Sequence, residues 1–130
     1  MVHEWALAEA IADYVFKTAP FAKRVRVTVR LGELQAADEE VLEFALREIM
    51  KSEGVECEVI LKREDCVLKC RKCGYEWLLK DVGFEEEVRE AIHFVPEVVH
   101  SYLKCPKCGS RDFEVIKGRG VWVEEVRWER

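Results

Sequence analysis

The sequence predicts an α+β fold, a small mixed three-stranded sheet with two helices, interrupted by an inserted four-cysteine metal-bound unit. Three observations carry that prediction. Strict apolar–polar alternation runs through residues 24–31 and returns in 55–62. Residues 4–18 and 38–50 repeat their apolar side chains at helical spacing. Five of the six cysteines fall inside residues 66–110.

Taken in order, residues 4–18 (EWALAEAIADYVFKT) place Trp5, Ala8, Ile11, Ala12 and Val15 on one helical face, and Pro20 lies just beyond the helix end. In RVRVTVRL, residues 24–31, Val25, Val27, Val29 and Leu31 face one way and Arg24, Arg26, Thr28 and Arg30 the other. That is the pattern of a half-buried strand, closed by Gly32. Asp38 can cap a second helix reaching about Met50, with Val41, Leu42, Ala45 and Ile49 as its apolar face and Gly54 as its stop. A second strand sets Val55, Cys57, Val59 and Leu61 against Glu56, Glu58, Ile60 and Lys62. A strand–helix–strand unit of this kind favours parallel neighbours joined by a right-handed crossover. Phe84 to His93 reads as a short acidic helix ended by Pro96. Residues 113–128 resume strand character through Phe113, Val115, Val121, Val123, Val126 and Trp128, and burying them is expected to return 113–130 to the first sheet. The predicted organisation is one domain built from residues 1–64 and 113–130, and a second from 65–112.

Composition narrows the function classes. The chain has 130 residues, 49% apolar and 36% charged, with a formal net charge of −5 and a pI near 5.4. An acidic balance gives no general attraction to nucleic acid or to an anionic membrane. No run of 18 apolar residues is present, and Glu4 and Glu9 interrupt the first ten residues, so neither a membrane span nor a leader is expected. The expected location is the cytoplasm, where cysteines serve as metal ligands or core residues rather than disulfides. Asn is absent and Gln occurs once, which together with the charge content fits a thermophilic source.

Cys70-Arg71-Lys72-Cys73 and Cys105-Pro106-Lys107-Cys108 form a C-x2-C…C-x2-C pattern with 31 residues between the pairs. Each pair makes a tight turn whose sulfurs converge on one ion, and Gly74 and Gly109 follow where the knuckle needs a residue tolerating φ > 0. Four thiolates suit tetrahedral Zn²⁺ and leave no open position, so the expected role is structural, a zinc ribbon whose metal supplies most of its folding energy. Iron in a rubredoxin-like site, or a redox dithiol, is the alternative. Cys57 and Cys66 read as packed thiols, Cys66 also being four residues from Cys70 and a possible substitute ligand.

The three histidines are His3, His93 and His100. An imidazole at position 3 can close a chelate with the terminal amine and two intervening amide nitrogens, a tetragonal nitrogen field preferred by Ni²⁺ and Cu²⁺. A surface or capping histidine is the alternative there, and His93 and His100 taken alone read as structural. No catalytic constellation is present: there is no phosphate-binding glycine loop, GRG at 118–120 is too short, and His3-Glu4 lacks a second histidine one turn on. A zinc-ribbon nucleic-acid or transcription module is disfavoured because residues 66–110 carry seven basic and seven acidic side chains, not a basic stripe.

The His3-Glu4-Trp5 helix start, VRVTVRLGEL, the C-x2-C…C-x2-C insertion and HFVPEVVH between its halves occur in that order, and the whole chain resembles the HypA family of hydrogenase maturation factors, particularly its archaeal members. The resemblance implies a nickel metallochaperone with no enzymatic activity. It implies a nickel-binding domain over 1–64 and 113–130 and a zinc-binding domain over 65–112. Cys70, Cys73, Cys105 and Cys108 match the family's zinc ligands, and His3 and Glu4 its nickel-binding His-Glu. His93 matches the linker histidine that completes the nickel site when a nucleotide-hydrolysing partner docks. The implied partners are a HypB-type maturation factor and a hydrogenase large subunit, with the chain a monomer or weak homodimer. The family begins Met-His-Glu and this chain Met-Val-His-Glu. Removal of Met1 would leave Val2-His3 in the family's chelate geometry; with Met1 retained, Met1, Val2 and His3 supply amine, amides and imidazole.

Overall fold

Residues 4–35, 37–83, 85–95 and 98–129 are described by the computed structural model. Helix α1 (Glu4–Thr18) buries Ala8, Ile11, Ala12 and Val15. Trp5, expected on that face, is instead 47% exposed and meets the ring of Phe44 edge-to-face at 6.3 Å. Helical side chains lean toward the N-terminus, so an indole in the first turn reaches past the packed part of the helix. Helix α2 (Glu39–Ser52) starts at Asp38, whose carboxylate accepts the Val41 N–H at 3.1 Å. Its buried face is Leu42, Ala45, Leu46 and Met50, whereas Val41, predicted to lie inside, is 38% exposed. The two stripes share the helical period and differ in phase, and the larger Leu46 and Met50 set the phase by burying more apolar surface.

Strands β1 (Arg24–Gly32), β2 (Glu56–Glu64) and β6 (Val121–Glu129) form one sheet in the order β2-β1-β6. Ion pairs Arg24–Glu56 and Arg26–Glu58 step the same way along β1 and β2, so this pair is parallel. Lys23 N–H bonds the Glu129 carbonyl while Gly32 N–H bonds that of Gly120, so β6 runs antiparallel to β1 and the sheet is mixed. Val25, Val27, Val29 and Leu31 of β1 are all buried.

The second sheet is β4-β3-β5, from β3 (Val67–Cys70), β4 (Glu76–Leu78) and β5 (Phe113–Lys117), with both pairs antiparallel. Here the structure departs from the sequence reading. Residues 113–117 do not return to the first sheet: Phe113 pairs with Cys70 and Val115 with Leu68, and only 121–129 rejoin β1. The reason is Phe113, fully buried among Leu68, Cys70, Trp77, Ile92, Val99 and Cys105, a larger apolar gain than the half-exposed edge position offers β6. The acidic helix α3 (Glu86–Phe94) and a single turn α4 (Val99–Tyr102) complete this part. Among the described residues the chain divides into two compact units, one holding 31–35 and 63–120, the other 4–30, 37–62 and 121–129.

Candidate metal centre

Each C-x2-C pair is folded by the same local bonds. Cys70 ends β3, and its N–H donates to the Tyr75 carbonyl at 2.9 Å while Gly74 N–H returns to the Cys70 carbonyl at 3.0 Å. The second knuckle repeats this: Cys105 N–H donates to the Ser110 carbonyl at 2.8 Å and Gly109 N–H to the Cys105 carbonyl at 2.9 Å. Gly74 and Gly109 have φ of 79° and 78°, left-handed values that a side chain would strain. The knuckles are joined by Arg71, whose N–H donates to the Asp112 carbonyl at 3.0 Å and whose guanidinium pairs with the Asp112 carboxylate at 3.0 Å and with Glu114.

The result is a cluster of four sulfurs, from Cys70, Cys73, Cys105 and Cys108, all within 4.8 Å of one another. Cys70 Sγ lies 3.5 Å from Cys108 Sγ, and Cys73 Sγ 3.6 Å from Cys105 Sγ. A tetrahedral Zn²⁺ with bonds of about 2.3 Å separates its sulfurs by roughly 3.8 Å. The donor set therefore fits zinc. Cys70 and Cys105 are buried and Cys73 and Cys108 exposed, so each knuckle presents one sulfur from the core and one from the surface. The N–H groups of Cys73 and Cys108 point at the sulfurs of Cys70 and Cys105 at 3.4 and 3.5 Å. The Cys73 N–H is the main reason the Cys70 thiol is held down to about 6, whereas Cys73 is pushed up to about 11, the lowering by the Tyr75 N–H being outweighed by burial and the neighbouring sulfurs.

Cys66 and Cys57 stand outside this cluster. Cys66 is fully buried, and burial pushes its thiol up to about 12; burial likewise raises Cys57 to about 11. Both stand apart from the four converging sulfurs, as packed thiols do. His100 stacks on Phe113 with ring centres 4.4 Å apart. Met1, Val2 and His3 lie outside the described residues. Glu4 opens α1, and its carboxylate accepts the Asp38 N–H at 3.1 Å. His93 lies on α3, and its side chain falls outside the described atoms. Glu4 belongs to the unit of the first sheet and His93 to that of the cysteines. Sequence reasoning passed over Arg71 and Asp112, which close the centre from outside; a charge pair 41 residues apart leaves no periodic signal.

Fold and site together define a protein of two units, one a mixed α+β unit and the other carrying a four-cysteine cluster suited to a metal. Among the described residues no helix is long and apolar enough to cross a membrane. The sequence model of the family described as "Hydrogenase/urease nickel incorporation, metallochaperone, hypA" matches residues 2–128. The chain belongs to the HypA family of nickel metallochaperones for hydrogenase maturation. It is 49% identical over 135 residues to the "Hydrogenase maturation factor HypA" of Pyrococcus horikoshii, covering 99% of this chain and 97% of the relative. It is 50% identical over 137 residues to that of Thermococcus kodakarensis, with the same coverage. Among solved structures, the "Solution structure of HypA protein" aligns with a TM-score of 0.61 at 17% identity over 98% of this chain and 96% of that one. The "Solution structure of the Ni metallochaperone HypA from Helicobacter pylori" gives 0.55 at 16%, over 98% and 97%. At these identities the structural likeness shows the fold.

Proposed function

We propose that the chain takes up Ni²⁺ at its N-terminus and delivers it to a hydrogenase large subunit, aided by a HypB-type nucleotide-hydrolysing factor in the cytoplasm, while Cys70, Cys73, Cys105 and Cys108 hold a structural zinc. The observation that carries the reading is the His3-Glu4 start on a chain whose family is described by nickel incorporation. Met1 or Val2 supplies the amine, His3 the imidazole and the intervening amides the remaining nitrogens. Such a site sits at a chain end, where ligands exchange readily, as delivery requires. Glu4, next in sequence to His3, is held at the start of α1 by the Asp38 N–H. His93, which the resemblance matches to the family's linker histidine, adds a further nitrogen in this reading. The protein acts as a carrier whose chemistry is ligand exchange. Selectivity against Cu²⁺, which outcompetes Ni²⁺ at nitrogen sites, comes from docking and metal supply.

The test is calorimetric nickel titration of the zinc-loaded protein. His3→Ala is expected to abolish tight binding, and His93→Ala to leave a weaker site, both with zinc content unchanged. Because His3 must be neutral and an amide proton must leave, binding weakens steeply from pH 7.5 to pH 5. Wild-type affinity in His3→Ala would remove the N-terminal site.

A further inference from the structure

The stretch Leu31-Gly32-Glu33-Leu34 carries no metal-binding side chain in the proposal above, yet it is closely packed and hydrogen bonded within the cysteine-bearing unit. A Cβ on Gly32 would run into the Gly118 carbonyl, and a Cβ on Gly118, whose φ is 89°, into the Cys66 backbone. Three segments therefore cross at van der Waals distance. They are also hydrogen bonded: Gly32 N–H to the Gly120 carbonyl at 2.7 Å, and Leu34 N–H to the Gly118 carbonyl at 3.0 Å. Glu33 Oε1 accepts the Cys66 N–H at 2.7 Å, and Glu64 Oε1 accepts the Gly118 N–H at 2.9 Å.

This crossing delivers Leu34 into the core. Leu34 is 1% exposed and joins the cluster of Ile92, Leu68, Leu79 and Phe113, and its single 3-10 turn, Glu33–Gln35, packs against α3. Helix α3 has nine residues, opens with Glu86 and Glu87, and has no side-chain cap at Glu85. A helix of that length has no stability of its own, so its place is set by what it packs on. Ile92, 4% exposed, is its buried anchor and immediately precedes His93.

We infer that Leu34, held in register by Glu33, is a positioning residue for α3 and through Ile92 for His93. This rests on the reading of His93 as a nickel ligand. Leu34 touches no metal in this scheme; it decides where the helix carrying the ligand is held.

The experiment uses the full, zinc-loaded chain and two readouts, amide hydrogen exchange and titration with Ni²⁺ alone. In Leu34→Ala, exchange across residues 86–94 is expected to quicken by roughly tenfold or more, with β3 and β5 far less affected and zinc content unchanged. Leu34→Met should restore slow exchange. Glu33→Ala, which leaves the apolar core intact, should show the same local effect more weakly and serves if Leu34→Ala fails to fold. For nickel, His93→Ala should weaken binding in the wild-type background and add nothing in Leu34→Ala, the non-additivity expected of residues acting through one another. Wild-type exchange in α3 in both Leu34→Ala and Glu33→Ala overturns the inference. So does an undiminished effect of His93→Ala in the Leu34→Ala background. If His93→Ala is silent in the wild-type background, the nickel role of His93 fails instead, and exchange alone decides what anchors α3.

Discussion

The two units solve the problem of a small core differently. The unit of the first sheet packs α1 against α2 and buries Ala8, Ile11, Ala12, Val15, Leu42, Ala45, Leu46 and Met50, together with Val25, Val27 and Val29 of β1. Its regular elements supply almost all of its apolar burial. The cysteine-bearing unit has strands of three to five residues, helices of nine and four, and a core in which Cys66, Cys70 and Cys105 take places an aliphatic side chain would otherwise fill. Elements this short have little stability of their own. In the proposed reading, four thiolates closing on one ion would tie together two knuckles more than thirty residues apart in sequence. Periodic burial builds one unit, and the other gathers a small core around four clustered cysteines.

The contrast breaks most visibly when the metal is removed. Structural zinc in small domains contributes about 10–16 kcal/mol of apparent binding energy. Cys105→Ser, or strong chelation, should therefore unfold residues 63–120 with loss of about one zinc per chain, while α1, β1, α2 and β2 keep their exchange protection. Metal analysis combined with hydrogen exchange reads this directly, and equal loss in both units would show that they are not separate solutions. The converse perturbation is Leu46→Ala, at a fully buried position of α2. It should cost about 2–5 kcal/mol, measured as a shift in denaturant midpoint of the first unit, with zinc content untouched.

The smallest expected effect concerns the open face of the first sheet. Glu124 accepts from Arg30 at 2.9 Å and Lys62 at 3.1 Å, and these bonds hold its carboxyl below its ordinary value of 4.5. A depressed folded-state value means stability that is present above pH 4.5 and is lost as pH falls through the folded value. Glu124→Gln should flatten the acid limb of the first unit's stability curve and barely change its midpoint at pH 7, because exposed ion pairs contribute little. A wild-type acid limb in this variant would show the bonds to be inconsequential.

Much of this was legible in the sequence. The strict alternation of RVRVTVRL fixes a half-buried strand, since period two leaves no other assignment. The C-x2-C pairs with their following glycines specify the knuckles, since ligand spacing and left-handed φ are local properties. Asp38 announces its helix for the same reason. Where the reading missed, the deciding contact was distant. Trp5 and Val41 sit at helical spacing but outside the packed face, because spacing sets a period and the partner sets its phase. Phe113 looked like part of the returning strand, and its place opposite Cys70 was decided by the core formed around β3.

The sequence by itself determined the elements, the four cysteines that cluster and the family, because each is written in short-range spacing that survives without a partner. Tertiary structure alone decided that residues 113–117 complete the second sheet. It also decided that Gly32 and Gly118 cross at backbone contact, and that Leu34, in the turn just past β1, fills the core against α3. The reason is physical. Burial energy depends on the surface a side chain removes from water against residues that may be eighty positions away, and no local pattern encodes that surface.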